Sequence, residues 1–383
     1  MTRFHLLIGP EFGINTRGLY QPLLKNKGLL SDVGIQVRIF RKFLPEIAEC
    51  DVLGIDSKVF KEQWLNRSAE VLDSVDRLRG QVNSLIWFNT ADSTGSIQHR
   101  VLPFVRLYCK SQLLKNMNLY KSPLYGGRVY TDFFHKNNGI HDANVQYSPV
   151  LCSSDIRDKL RLSWNYGLAD GYLANHWLER CVSLIPVLGR TFWPRNRYHS
   201  PSLERPNGVF LRMQTRYARR TVAEQRIATL EALASLGGAQ ARVSKNKYFN
   251  ELCLSQVVVS PFGWGEINIR DYETFCAGAV LLKPTMDHLK TFPNFFEENK
   301  TYIPYRWDSS DVLEKAVEIL SCPSEYHAIA ERAQERFKKY TDVLEGHEAF
   351  VNRVVDLLKE ACSPLPESKS ELVKAHPFSP ASN

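Results

Sequence analysis

The chain has 383 residues, 44% apolar and 23% charged, which excludes global disorder and makes two domains the default for its length. No apolar run approaches the ~18–20 residues that span a bilayer. The formal net charge of +8 favours an anionic partner (a nucleotide, a phospholipid surface or nucleic acid) without choosing among them.

The opening "MTRFHLLIGPEFG" carries one basic residue and reaches Glu11 without a small-residue cleavage site, so it reads as a first strand and not a signal peptide. Apolar patterning predicts strands over 4–9, 34–40, 50–56 and 83–89, with helices over 18–30 and 61–80 between them. Residues 95–180 are rich in Tyr, Asn and Gly and show no clear period. The stretch 187–208 holds three prolines and four arginines and reads as a linker. Alternation resumes with strands over 208–213, 240–244, 256–261 and 279–284. Helices are expected over 221–238, 247–255 and 269–277, the last closed by Gly278, and three more follow from residue 309. The eight cysteines are scattered and none has Cys-x-x-Cys spacing, which excludes a zinc ribbon or dithiol motif and suits the cytoplasm.

The order of elements predicts an α/β protein of two Rossmann-like domains facing a cleft. The boundaries are 1–190, a basic linker 191–207, 208–362 with the terminal helices, and a flexible tail 363–383. Open α/β sheets bind ligands beyond the carboxyl ends of their strands. Four loops therefore draw attention: 9–13, 89–95, 214–220 and 260–268.

The segment "SPFGWGEINIRDYETFCAGAVLLKP" (260–284) sets a glycine-rich loop between two buried strands. Gly263 and Gly265 would let the backbone approach a ligand, and the helix from Ile269 would present free N–H groups to a phosphate. Arg270 in the first turn could add a bidentate contact. Glu273, three residues on and on the same face, would look past a diphosphate to the hydroxyls of a ribose. The competing reading is a surface turn with an Arg270–Glu273 pair of ~0.2–0.5 kcal/mol. Eight arginines and no lysine lie between 190 and 220, a bias toward planar contacts with phosphate or carboxylate. Nucleic acid is the rival use of "RYARR", but aromatic side chains are not interleaved as stacking platforms. In "WFNTADSTGS", Asp92 stands at a strand end as a candidate base, or else as a turn cap, and His99 is an alternative. In "NNGIHDA", His141 and Asp142 are adjacent on an extended chain and point apart, so no dyad is expected.

Residues 205–360, about 40% of the chain, resemble the nucleotide-sugar-binding domain of GT-B glycosyltransferases. The nearest pattern is that of the exostosin-like and spore-maturation-type branch: Ser260, Gly263, Arg270, Glu273 and Gly278, with Tyr248 one helix earlier and Arg219 or Arg220 behind the first strand. The resemblance implies transfer of a sugar from a nucleoside-diphosphate sugar to a glycan or lipid-linked glycan in surface polysaccharide synthesis. The 208–362 domain would hold the donor and the 1–190 domain the acceptor. Donor contacts are implied for Arg219, Arg220, Tyr248, Gly263, Gly265, Glu266, Arg270 and Glu273. Gly13, in the first loop, and His99 would serve the acceptor. The large retaining branch spaces two glutamates eight apart, whereas Glu266 and Glu273 are seven apart, so its stereochemistry is not carried over. No Asp-x-Asp occurs, so neither metal nor cofactor is required by the sequence. Cytoplasmic residence, with possible contact at an anionic membrane and no nucleic-acid partner, completes the expectation. A nucleotide-sugar epimerase of the same fold, or a non-catalytic nucleotide or nucleic-acid binder, are the alternatives.

Overall fold

A computed structural model describes residues 1–9, 13–169, 196–237 and 243–363. Twelve strands run through it: β1 (Thr2–Leu7), β2 (Ile35–Phe40), β3 (Val52–Asp56), β4 (Ser84–Asn89), β5 (Leu107–Lys110), β6 (Gln112–Leu114), β7 (Leu160–Leu162), β8 (Asn207–Phe210), β9 (Ser255–Val259), β10 (Val280–Pro284), β11 (Leu289–Thr291) and β12 (Ile303–Tyr305). The α-helices are α1 (Ile14–Lys25), α2 (Lys27–Asp32), α3 (Lys61–Asn66), α4 (Ser68–Arg79), α5 (Val129–Asn138), α6 (Ser153–Asp158), α7 (Arg220–Ala232), α8 (Lys245–Leu254), α9 (Ile269–Ala277), α10 (Val312–Ser321), α11 (Pro323–Asp342) and α12 (Leu344–Cys362).

The N-terminal half is a six-stranded sheet of order β2-β1-β3-β4-β5-β7, parallel throughout. Its inner strands β3 and β4 are buried along their whole length, as helices on both faces require. The chain reverses its direction of build between β1 and β3, the position where sheets of this kind form a crevice at their carboxyl ends. The C-terminal half is a four-stranded parallel sheet of order β12-β10-β9-β8. β8 and β9 are neighbours although two helices separate them in sequence. The expected two-sheet α/β architecture is thus present.

Several boundaries moved for local reasons. The expected helix 18–30 starts at Ile14 and divides at Asn26. Pro22 lies inside α1 and cannot donate to Gly18, whose carbonyl instead takes the Trp164 indole N–H at 3.2 Å. Gly18 also lets Tyr166 approach, because an added Cβ would sit 2.1 Å from that residue's Cβ. The expected strand 208–213 ends at Phe210, and the Arg212 carbonyl turns to the Arg270 guanidinium. The expected strand 240–244 lies largely outside the described residues, as do part of the linker and nearly all of the tail.

The last helix departs from its expected place. α12 packs on the N-terminal sheet: Ser84 Oγ donates to Ala361 O at 2.9 Å, Arg161 pairs with Glu360, and Phe350 meets the Trp164 ring edge-on. Its buried residues Phe350, Val351, Val354, Leu357, Leu358 and Ala361 form one stripe, and that stripe covers the first sheet. The preceding α11 stays with the second half, stacking Phe337 on Tyr272. The halves are also joined by an antiparallel ribbon, β6 on β11, in register Thr291↔Gln112 to Leu289↔Leu114. No helix among the described residues is long and apolar enough to cross a membrane.

Candidate active site

The loop Pro261–Asn268 leaves the carboxyl end of β9 and lies against the N-terminal half. Four of its carbonyls are taken by side chains from other elements. Arg226 Nε of α7 donates to Phe262 O at 2.6 Å, the Tyr130 hydroxyl of α5 to Gly263 O, and Arg128 Nε to Trp264 O at 2.7 Å. Tyr166 donates to Ile267 O at 2.9 Å. The glycines answer to protein neighbours where a ligand was expected. A Cβ on Gly265 would stand 2.2 Å from the Asp92 carbonyl oxygen, and one on Gly263 2.9 Å from Arg226 Nη2.

The start of α9 is occupied by its own side chains. Asn268 N donates to Asp271 Oδ2 at 2.8 Å and the Asn268 side chain accepts from Asp271 N, a reciprocal cap. Asp271 is fully buried, accepts from Ser260 Oγ at 2.6 Å and pairs with the equally buried Lys283 at 3.0 Å. Burial lowers the Lys283 pKa, and Asp271 opposes that shift. The expected phosphate cradle on this helix mouth is therefore corrected: a carboxylate holds it. Arg270 is also turned away from the mouth. Its guanidinium bridges the carboxyl ends of β8 and β9, donating to Arg212 O and to Val259 O (3.2 Å), and reaches the Tyr248 hydroxyl at 3.2 Å. Tyr248 shares a further hydrogen bond with Glu273. Burial raises the Glu273 pKa and pushes Tyr248 up to about 12, with Arg270 opposing both.

Positive charge gathers around this loop, with Glu273 near Arg270 and Glu266 near Arg128 but no salt bridge to either arginine among the described residues. Arg219 donates to Gly126 O (2.9 Å) and Gln146 Oε1 (2.7 Å), and Arg128 to the same Gly126 O at 2.8 Å. Arg226, buried in α7, also reaches Gln214 O at 3.2 Å. Among the described residues, Arg128, Arg219, Arg226 and Arg270 bond only to carbonyl, amide and hydroxyl oxygens. Burial lowers the Arg226 pKa, as it does for any cation short of counter-charge.

Across the seam, Asn15 Nδ2 donates to Asp92 Oδ1 and to Thr90 O (2.9 Å), and Gln112 Nε2 to Asp92 O at 2.5 Å. Asp92, Asn15, Gln112, Trp164 and Tyr166 line a recess at the carboxyl ends of β4 and β5. Glu266 enters from the other half, fully buried, with Oε2 accepting from Thr94 N (3.2 Å) and Gln112 Nε2 (3.0 Å). Its Oε1 has no partner among the described residues, and burial raises its pKa. Lys110, also buried, donates to Ser96 O at 2.8 Å.

The expected residues Asp92, Arg219, Tyr248, Gly263, Gly265, Glu266, Arg270 and Glu273 are thus assembled along the seam and the adjoining strand ends of the second sheet. Three are not joined to them. Arg220 is exposed at the start of α7. His99 is exposed on a short turn, Gln98 to Phe104, that packs on α4. Gly13 precedes α1, with no atom within 4 Å of its built Cβ. Sequence reasoning missed Asn15, Gln112, Arg128, Tyr130, Tyr166 and Arg226. Arg226 alone left a trace, an arginine among the apolar positions of a helix; the others come from the stretch without periodicity or from exposed-looking helix starts. Asp142 caps α7 from the opposite half, accepting from Thr221 N (3.0 Å) and Thr221 Oγ1 (2.7 Å).

No group of three His, Cys, Asp or Glu is arranged to hold a metal among the described residues. A larger recess, about 710 Å³, lies on the connection from β10 to β12. None of the expected site residues lines it, and its Asp287 and Glu297 are paired with Lys115 and Arg336.

No protein-family model and no curated protein matches the sequence. Solved structures of similar arrangement include HepE of Anabaena in complex with UDP-glucose, with 10% identity and a TM-score of 0.44 over 93% of this chain and 100% of that one. A glycosyltransferase of Rickettsia africae ESF-5 has 10% identity and a TM-score of 0.46 over 94% and 98%. Sucrose-phosphate synthase of Thermosynechococcus elongatus has 11% identity and 0.46 over 94% and 99%. At such distances the chemistry has to be read from the residues themselves.

Proposed function

We propose that this protein is a glycosyltransferase that moves a sugar from a nucleoside-diphosphate sugar to a glycan or glycolipid acceptor. The observation that carries the reading is the set of four arginines, none in a salt bridge among the described residues, gathered around the 261–268 loop and the strand ends beside it. A buried guanidinium without counter-charge costs several kcal/mol. Backbone carbonyls alone can satisfy one, as they do for the buried Arg205. It is the gathering of several beside a glycine-rich loop after a strand that favours an anionic ligand, and a diphosphate offers two negative centres to planar donors.

In this reading the diphosphate lies among the arginines, with no metal required, and Glu273 accepts from ribose hydroxyls. The transferred sugar sits against the Glu266 side of the loop. Asp92 takes the proton of the acceptor hydroxyl as that oxygen bonds to the anomeric carbon. The bond to the diphosphate oxygen breaks, and its electron pair becomes charge that the guanidinium groups stabilise. The pattern of Ser260, Gly263, Arg270, Glu273 and Gly278 supports a kinship with the exostosin-like and spore-maturation-type branch. Work at the cytoplasmic face of an anionic membrane, on acceptors for surface polysaccharide, fits the net charge of +8; sedimentation with anionic vesicles tests that point.

A thermal-shift and calorimetry screen across UDP-, GDP- and dTDP-sugars, with a CMP-sugar as the single-phosphate control, tests the function. One nucleotide class should raise the melting temperature of the wild type, and Arg226→Ala and Arg270→Ala should each weaken its binding at least tenfold. Failure of every nucleotide sugar to bind, or unchanged affinity in both variants, refutes the assignment. Isomerised donor in the absence of acceptor would instead make the protein an epimerase.

A further inference from the structure

Asp56 ends β3 at the reversal point of the first sheet, with none of its surface exposed, and no lysine or arginine among the described residues pairs with it. Its charge is met by hydrogen bonds alone. Oδ2 accepts from Thr16 Oγ1 at 2.7 Å and Gly9 N at 3.5 Å; Oδ1 accepts from Thr90 Oγ1 at 2.6 Å and Lys58 N at 3.1 Å. Burial raises its pKa and these bonds oppose the rise.

The two hydroxyls belong to segments that meet again at Asp92. Thr16 follows Asn15, whose amide bonds Thr90 O and the Asp92 carboxylate; Thr90 lies two residues before Asp92. The network closes from Asp56 through Thr16 and Asn15 to Asp92, and back through Thr90. Each oxygen already faces a backbone N–H that can only donate, and the two threonine hydroxyls donate inward beside them, which holds their backbones in one arrangement. An amide at position 56 could not satisfy four donors with its single oxygen.

We propose that Asp56 is a positioning residue for the transfer step: it holds Asn15 and Thr90 so that the Asp92 carboxylate keeps one orientation toward the 261–268 loop. This rests on the reading of Asp92 as the base. The geometric half can be examined apart from any activity.

Hydrogen exchange on the full chain decides the geometric half. Asp56→Asn and Thr90→Val should speed exchange at least tenfold in residues 13–17 and 89–93 and leave 269–277 unchanged, while Thr90→Ser, which keeps the hydroxyl, should behave as wild type. Unchanged exchange in both segments overturns the proposal. So does a rise spread through the whole first sheet, which would make Asp56 a fold staple only. Kinetics with UDP-glucose, GDP-mannose, dTDP-glucose and CMP-sialic acid, water serving as acceptor, test the rest. For whichever is consumed, Asp56→Asn should lower kcat at least tenfold with donor KM within twofold, and the double variant Asp56→Asn, Asp92→Asn should be no slower than Asp92→Asn alone. Additive losses, or an equal loss of donor affinity, overturn it. If none of the four is consumed with water, the binding screen decides the proposed function, and the exchange result still decides the role of Asp56 in placing Asp92.

Discussion

At the scale of single residues the seam concentrates groups whose charge the solvent does not reach. Lys110 is the clearest of these, because among the described residues its ammonium donates to the Ser96 carbonyl and no carboxylate forms a salt bridge with it. Burial lowers its pKa to about 7, with Glu266 and then Asp92 opposing the shift. The unfolded chain keeps the ordinary value near 10.5. Between those two values the unfolded state holds a proton that the folded state lacks, so this residue's cost is fully present below pH 7 and is relieved as pH rises through the window. Chemical unfolding of the wild type and of Lys110→Met at pH 7 and pH 9 gives the check. The wild type should gain on the variant by about 1–3 kcal/mol between the two, the limit being ~1.4 kcal/mol per pH unit. Parallel pH dependence of the two proteins would show that Lys110 is ionised in the fold as in water.

At the scale of elements, what was legible depended on how local the cause was. The 269–277 helix and its stop were readable to the residue, because an amphipathic run meets a glycine whose conformation nothing else adopts easily. Gly278 has φ +66°, and a Cβ there would lie 2.5 Å from His199 O. Gly278→Ala should therefore cost about 2–4 kcal/mol in unfolding free energy, the left-handed backbone and the clash adding together. Gly80 also closes a helix, but with φ −69° and its nearest neighbour 3.6 Å from a built Cβ. Gly80→Ala should instead gain about 0.4–1 kcal/mol through the unfolded chain. A shared sign for the two substitutions would mean that backbone conformation does not set these helix ends. The site itself was half legible. Arg270, Glu273, Glu266 and Asp92 announced themselves by type and by position after strands. The side chains that hold the 261–268 loop, Tyr130, Tyr166 and Arg128, and the bond of Gln112 to Glu266 reach across 100 residues or more, and no periodicity encodes such a pairing. The mouth of α9 was misread for a related reason: the burial of Asp271 against Lys283, which makes it the cap, leaves no periodic signal in the sequence.

At the scale of the molecule, the two halves are closed over the site by bonds that differ in kind. The β6–β11 ribbon and the aromatic cluster of Tyr130, Trp164, Phe262, Tyr272 and Phe295 are continuous packing. The Asp142–Thr221 contact is different, because it places a carboxylate of the first half on the positive end of a helix of the second. α7 has no side-chain cap of its own, its first turn holds no acid, and Arg219 and Arg220 stand at its start. Asp142 therefore does for α7 what an N-cap does within a chain segment, but only while the halves are together. Losing a cap costs about 1 kcal/mol, roughly fivefold in the opening equilibrium. Asp142→Ala should accordingly raise exchange in residues 219–222 about fivefold and increase the radius of gyration seen in X-ray scattering, while both sheets keep their protection. Asp142→Asn, which retains one acceptor oxygen but no charge, should fall between the two. If Asp142→Ala leaves both measurements where they were, the ribbon and the aromatic cluster hold the cleft shut without it, and a ligand's entry must be governed by those elements instead.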